Sequence, residues 1–373
     1  MHPSRRLSSL AVLGICLLQI SCGRMLSSSQ PNRIALLRLV REYGQNHQPS
    51  APSPAAQPAV SPQVALETEE DYKRPIIASF NSWDFAQLEK DAQEARASKG
   101  RLLGGSWKLY VFYEVITDPP AGDQATEADW ANHLQTLNQW KAAQPGSATV
   151  RIALAKSYIN YAWKARGNGY ASTVTDSGWN LYYDRLGSAT SALADAAQQN
   201  TKCPYWFQVM QEIAVAQGWT KSQAKQVFDQ AIAFEPDYYH YYRLYARYLL
   251  PQWYGDQGEV QAFATETANR LGGQQGDFMY FEIASMVICP CYPKNVPQPQ
   301  GMSWPRIKQG YVALGQLYGV SDLKLNRFAF MTHVAGTKPE EQQLLAQIGD
   351  HWVEAAWIYK ENFDEAKTWA ATP

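Results

Sequence analysis

The residues best placed to do chemistry lie between Tyr238 and Leu250, where helical spacing sorts the side chains into two stripes. Tyr238, Tyr241, Tyr242, Tyr245 and Leu249 recur at three- and four-residue intervals and are expected to face neighbouring helices. His240, Arg243 and Arg247 fall on the other stripe, with Tyr239 beside them. Two readings fit that second stripe. On the concave side of a stack of helices it would receive an anionic or peptide ligand; otherwise it is a solvated face. Arg166 and Trp253 are the further groove candidates.

Other chemistry is hard to find. No stretch matches a Gly-x-Ser-x-Gly elbow, a phosphate-binding Walker loop, an EF-hand loop or a His-Glu-x-x-His zinc helix. The six histidines are scattered at positions 2, 47, 133, 240, 333 and 351, and a single histidine in a helix is ordinarily a surface group or a satisfied core group. Gly167 and Gly169 imitate half of a dinucleotide fingerprint, but they follow a helix pattern and the third glycine is missing, so they read as a helix stop. No catalytic residue, cofactor or metal site is therefore expected. Cys203, Cys289 and Cys291 form the thiol inventory of the body. In an exported protein they would pair, so a disulfide from Cys203 to Cys289 or Cys291 is predicted, with one thiol left over. A redox role for Cys289-Pro290-Cys291 lacks both the two-residue spacer and the βαβ setting of thioredoxin-like motifs.

The front end places these groups outside the cytoplasm. Residues 1–22 have the layout of a secretory signal: Arg5 and Arg6, an apolar run from Leu10 to Ile20, then Ser21 and Cys22. That run is too short to span a bilayer as a helix. Leu18-Gln19-Ile20-Ser21-Cys22-Gly23 resembles the lipobox of bacterial lipoproteins, with Gln19 where an aliphatic residue is usual, and the resemblance implies that Cys22 carries lipid. Ordinary signal-peptidase cleavage nearby and a later start at Met25 are the alternatives. Ile34, Leu36, Leu37, Val40 and Tyr43, with Arg33, Arg38 and Arg41, make a short basic amphipathic helix that lies on lipid or is a frayed segment without a role. Prolines at 49, 52, 54, 58 and 62 make the following stretch an extended tether, so residues 23–75 are read as tether and residues 76–373 as the folded body.

A balance of 33 basic and 34 acidic residues gives no electrostatic footprint for nucleic acid. The 13 Trp and 22 Tyr supply either a core of large rings or an aromatic groove. From Ser82 onward the apolar period stays close to 3.6, which predicts an all-α body. Helices are expected over Trp83–Ala97, Thr126–Ala143, Ser147–Ala165, Trp179–Gln199, Tyr205–Gln217, Lys221–Phe234, Glu259–Leu271, Asp277–Ile288, Trp304–Tyr318, Leu323–Ala335 and from Glu340 on. The β-branched and aromatic residues of Ser106–Ile116 would also suit a strand, and its helical flanks favour a helix.

Ala224, Phe228, Ala231 and Pro236 resemble the second half of a tetratricopeptide (TPR) repeat, which implies stacked helical hairpins, an α-solenoid with degenerate repeats. Ile348-Gly349 with Trp352, and Phe363 with Ala366, resemble the slots of a further repeat. Trp163-Lys164-Ala165-Arg166-Gly167, Gly218-Trp219 and Leu250-Pro251-Gln252-Trp253-Tyr254-Gly255 resemble an uncharacterised bacterial family with TPR-like helices, whose members carry Trp-x-x-Arg-Gly and Pro-x-Trp-x-Gly elements in this order. The likeness covers roughly residues 126–290 and implies a fold without an activity. Three functions are compatible with all of this. The leading one is a lipid-anchored bacterial envelope protein, facing the periplasm or exterior, whose helices form an interaction scaffold for a protein or peptide partner. The others are a hydrolase of envelope glycans and a structural lipoprotein with no discrete ligand.

Overall fold

The computed structural model describes residues 33–45, 66–167, 169–290 and 301–372. Among them every regular element is helical, apart from one isolated bridge between Arg101 and Trp107. The α-helices run α1 (Arg33–Gln45), α2 (Glu69–Asn81), α3 (Phe85–Ser98), α4 (Lys108–Ile116), α5 (Glu127–Ala143), α6 (Ala148–Arg166), α7 (Asp176–Ala197), α8 (Pro204–Ala216) and α9 (Lys221–Phe234). They continue as α10 (His240–Tyr248), α11 (Glu259–Leu271), α12 (Gly273–Val287), α13 (Trp304–Tyr318), α14 (Asp322–Ala335), α15 (Lys338–Ile348), α16 (Glu354–Trp357) and α17 (Lys360–Ala371).

Local signals explain most boundaries. Thr126 and Asp129 close a capping box at the start of α5, as their spacing predicts, and Thr220 with Gln223 does the same for α9. Ser147 caps α6 through the Val150 N–H, and Gly167 ends that helix at φ 71°. α4 resolves the ambiguous segment as a helix. Leu109, Val111, Phe112, Tyr113 and Ile116 are all buried, and with no described strand beside it the backbone bonds within the segment.

Successive helices pack as pairs, most closely α6 with α7, α12 with α13 and α11 with α12. Contacts two elements apart, α6 with α8, α8 with α10 and α10 with α12, stack these pairs. The TPR-like residues behave as their spacing predicts: Ala224, Phe228 and Ala231 are buried in α9, and Phe228 stacks on Tyr245 at 4.5 Å. Gly310 lets α13 close on α12, since a Cβ there would come within 2.3 Å of the Asp277 carbonyl oxygen.

The structure corrects three expectations. α1 is neither frayed nor laid on lipid: Leu36, Val40 and Tyr43 are buried in the body, and the Tyr43 ring stacks on Trp206 at 4.1 Å. Its apolar face meets helix instead of lipid, mainly α9. The folded body does not begin at residue 76, which falls inside α2. Finally, Ile348 ends α15, Gly349 breaks it at φ 59°, and Trp352 lies in the irregular segment beyond, so these residues do not form the first helix of a repeat. Phe363 and Ala366 are buried in α17.

Candidate functional site

Both stripes of α10 point inward. Tyr238, Tyr241 and Tyr242 are fully buried, and their hydroxyls donate to Gln208 Oε1 (2.8 Å), the Pro204 carbonyl (2.6 Å) and the Pro236 carbonyl (3.0 Å). The second stripe is not solvated either. His240, Arg243 and Arg247 line a partly open cavity of about 150 Å³. α4 contributes Tyr110 and Glu114 to its walls, α6 Lys156, α8 Gln208 and Glu212, and α14 Arg327 and Phe330. Leu244, Met286, Ile288 and Ala356 make up apolar parts of the lining, and Trp253 stands beside Arg247 with the guanidinium 5.5 Å from its ring centre.

The charges fall into matched and unmatched sets. Lys156 donates to Glu212 at 2.6 Å. Arg243 donates to Glu282 at 2.5 Å, and Lys324 donates to the other oxygen of the same carboxylate. Glu282 has no exposed surface. Its burial acts to raise the carboxyl, but Lys324 and Arg243 outweigh that and hold it below the usual carboxylate range. Burial pushes Lys324 down to about 8 against the pull of Glu282.

The rest of the lining is compensated only at a distance: Glu212 acts on Arg247 and Glu282 on Arg327, with no ion pair to either arginine among the described residues. Among the described residues Arg247 Nε is buried without a hydrogen-bond partner, and burial lowers that group. Burial, then the charge of Arg243, brings Arg327 down to about 10. His240 is only 7% exposed, its ring stacks on Tyr110 at 3.7 Å and its Nε2 has no partner among the described residues. Burial and the neighbouring Arg243 hold this imidazole well below its ordinary value, so it is neutral. Glu114 is raised to about 7 by burial, with Lys156 opposing and Asp118 adding to the shift. Asp118 behaves alike, raised to about 6 by burial although Lys156 and the Asn160 amide, 2.9 Å away, favour its charged form.

Of the six groove candidates, His240, Arg243, Arg247 and Trp253 come together at the cavity. Tyr239 does not line it; its buried ring is turned against Phe278 of α12. Arg166 does not line it either, because its guanidinium donates to the carbonyls of Gly167 (3.1 Å) and Gly169 (3.0 Å) and clamps the end of α6. Sequence reasoning missed Glu114, Lys156, Glu212 and Arg327. A legible signal was present: each is a charge set within an apolar helical run, such as Lys-Leu-Tyr-Val-Phe-Tyr-Glu-Val-Ile, and such charges are seldom buried unless they are paired or used.

Residues of the Trp163–Gly167, Gly218-Trp219 and Leu250–Gly255 stretches meet beside this site. Trp163 packs edge-on against Trp253 at 6.1 Å, and Tyr254 donates to the Val215 carbonyl at 2.9 Å, close to Gly218-Trp219. Gly255 is required there, since a Cβ would fall 1.8 Å from the Leu249 carbonyl oxygen.

The predicted disulfide of Cys203 is absent. Cys203 is a free, fully buried thiol whose Sγ lies 3.7 Å from the Tyr113 hydroxyl and whose N–H donates to Tyr43 Oη at 2.8 Å. The helices around it are held by aromatic packing without a cross-link. Cys289, on the cavity wall, is disulfide-bonded, and not to Cys203. Cys22 and Cys291 lie outside the described residues, and no described helix is long and apolar enough to cross a membrane. Comparisons of the chain with protein-family models, with curated proteins and with solved structures return no match.

Proposed function

We propose that the chain is a lipid-anchored envelope protein whose helical body is an interaction scaffold, and that its peptide or protein partner places an anionic group in the cavity beside α10. One observation supports this reading: Arg247 and Arg327 line a partly open cavity, and no carboxylate among the described residues forms an ion pair with either. Guanidinium groups that line a confined, largely apolar cavity without an ion-pair partner are poorly compensated, so a ligand anion is the natural complement. The resemblance to an uncharacterised bacterial family and an α-solenoid order of the hairpins belong to the same reading.

The alternatives explain less. Glu114 and Glu212 share a cavity, as the carboxyls of a glycan hydrolase must. Yet Lys156 holds Glu212 in an ion pair, and about 150 Å³ is less than the roughly 300–1,000 Å³ usual for a whole small-molecule ligand. A structural lipoprotein without a ligand gives no reason to line a cavity with arginines that have no ion-pair partner among the described residues.

Fluorescence anisotropy of full-length protein against labelled peptides tests the proposal. Acidic peptides and peptides with a free C-terminal carboxylate should bind, and Arg247→Gln with Arg327→Gln should weaken them about tenfold or more. Binding confined to basic or neutral peptides would overturn it. The anchor is tested separately: Cys22→Ala should move the protein out of the membrane fraction, and unchanged fractionation would refute lipidation at that residue.

A further inference from the structure

Size, wall chemistry and charge together narrow what the cavity accepts. At about 150 Å³ it matches in volume the apolar cavity that takes up benzene, so the inserted portion has about six to ten heavy atoms. Its lining is predominantly apolar, with Leu244, Met286, Ile288 and Phe330 contributing. A sugar or polyol body would lose its hydration against such a surface without replacement hydrogen bonds. An aliphatic or aromatic body loses nothing there and gains about 25 cal/mol per Å² of apolar area covered.

Charge sets the head group. Lys156 is matched by Glu212, and Arg243 shares Glu282 with Lys324. The guanidinium groups left for a ligand are those of Arg247 and Arg327, and the His240 ring is part of the same lining. A planar guanidinium fork fits the two oxygens of a carboxylate. The Glu114 carboxyl in the same lining acts against a second negative charge, which disfavours a phosphate or sulfate dianion.

We infer that the cavity binds a carboxylate joined to a compact apolar body, with the carboxylate held by Arg247 and Arg327 and the body covered by the Leu244, Met286 and Phe330 surface. This rests on the proposed anion-receiving function and narrows it. The same chemistry is presented by a free short-chain organic acid and by the C-terminal residue of a peptide that ends in Leu or Phe.

Isothermal titration of the full chain separates these sources. The probes are isocaproate, its neutral amide, inorganic phosphate, and the tripeptide Ala-Ala-Leu with a free or an amidated C-terminus. Isocaproate should bind, and the amide should bind at least about tenfold more weakly. Arg327→Gln should lose at least the same factor, and Arg327→Lys should recover part of it by restoring charge without the fork. Both variants should retain the helical circular dichroism of the parent. If the free tripeptide binds and the amidated one does not, the source is a peptide terminus and both readings stand. Binding of isocaproate without either tripeptide leaves the carboxylate inference standing and removes the peptide scaffold. Phosphate binding in preference to isocaproate, still lost in Arg327→Gln, overturns the carboxylate inference while the anion site survives. Equal binding of acid and amide, or no response to any anionic probe, overturns both.

Discussion

Arg243 and Arg247 stand one helical turn apart on α10, yet their removal should have different consequences. Arg243 is bonded to the fully buried Glu282, so Arg243→Ala leaves that carboxylate with Lys324 alone. The expected loss is about 1–3 kcal/mol, less than for an isolated buried pair because Lys324 still neutralises the charge. Arg247 has no carboxylate partner among the described residues, and Arg247→Gln should stay within about 1 kcal/mol of the parent or stabilise it. Urea denaturation of the two variants checks the contrast, and equal losses would mean that Arg247 is paired in solution. Glu114 gives a pH signature at the same scale. Its folded value, about 7, lies above the ordinary 4.5, so the folded state keeps a proton that the unfolded chain releases between these values. The contribution is complete below about pH 4.5 and is lost as pH rises through about 7, at roughly 1.4 kcal/mol for each tenfold fall in proton activity across that interval. Glu114→Gln should flatten the fall in stability between about pH 4.5 and pH 7; an unchanged slope would mean that Glu114 is ionised in the folded protein. Asp118, raised to about 6, adds in the same direction and should remain visible in that variant.

At the scale of elements, α1 is the helix whose role differs most from its sequence reading. Arg33 donates to the Gln217 carbonyl at 2.7 Å, and Tyr43 reaches both Trp206 and the Cys203 backbone. Tyr43→Ala should therefore cost roughly 3–5 kcal/mol, as the loss of a large buried ring does. Thermal melting of that variant in detergent-free buffer measures it, and an unchanged melt would return α1 to the role of a lipid-facing segment. The same packing accounts for the free state of Cys203. Its thiol lies against the Tyr113 hydroxyl of α4, and its backbone is bonded by Tyr43 of α1.

At the scale of the molecule, one hydrophobic cluster includes Leu36 of α1, Trp140 of α5, Tyr241 of α10 and Ala370 of α17. A regular solenoid, in which each repeat touches only its neighbours, can unfold in stages. Here the cavity takes its walls from α4, α6, α8, α10, α12 and α14, so those helices should lose structure together. Far-ultraviolet circular dichroism and tryptophan fluorescence should accordingly give coincident urea transitions. Clearly separated midpoints would show that the helices melt as independent groups.

The sequence by itself determined the class of fold and most helix ends, because caps, glycine stops and the 3.6-residue period act over a few neighbouring residues. Lys221–Phe234, Glu259–Leu271 and Trp304–Tyr318 end where the pattern puts them. It also singled out the stripe of His240, Arg243 and Arg247. What it did not determine is where a surface goes. An amphipathic helix such as α1 has the same pattern whether its apolar face meets lipid or protein, and an arginine stripe has the same spacing whether it faces solvent or a cavity. Tertiary structure decided both, and it alone selected the charge partners. Lys156 and Glu212 are 56 residues apart, Arg243 and Glu282 are 39 apart, and Arg247 lacks an ion-pair partner among the described residues because of which helices surround it. Local periodicity carries no information about such pairings, since they follow from packing between helices distant in the chain.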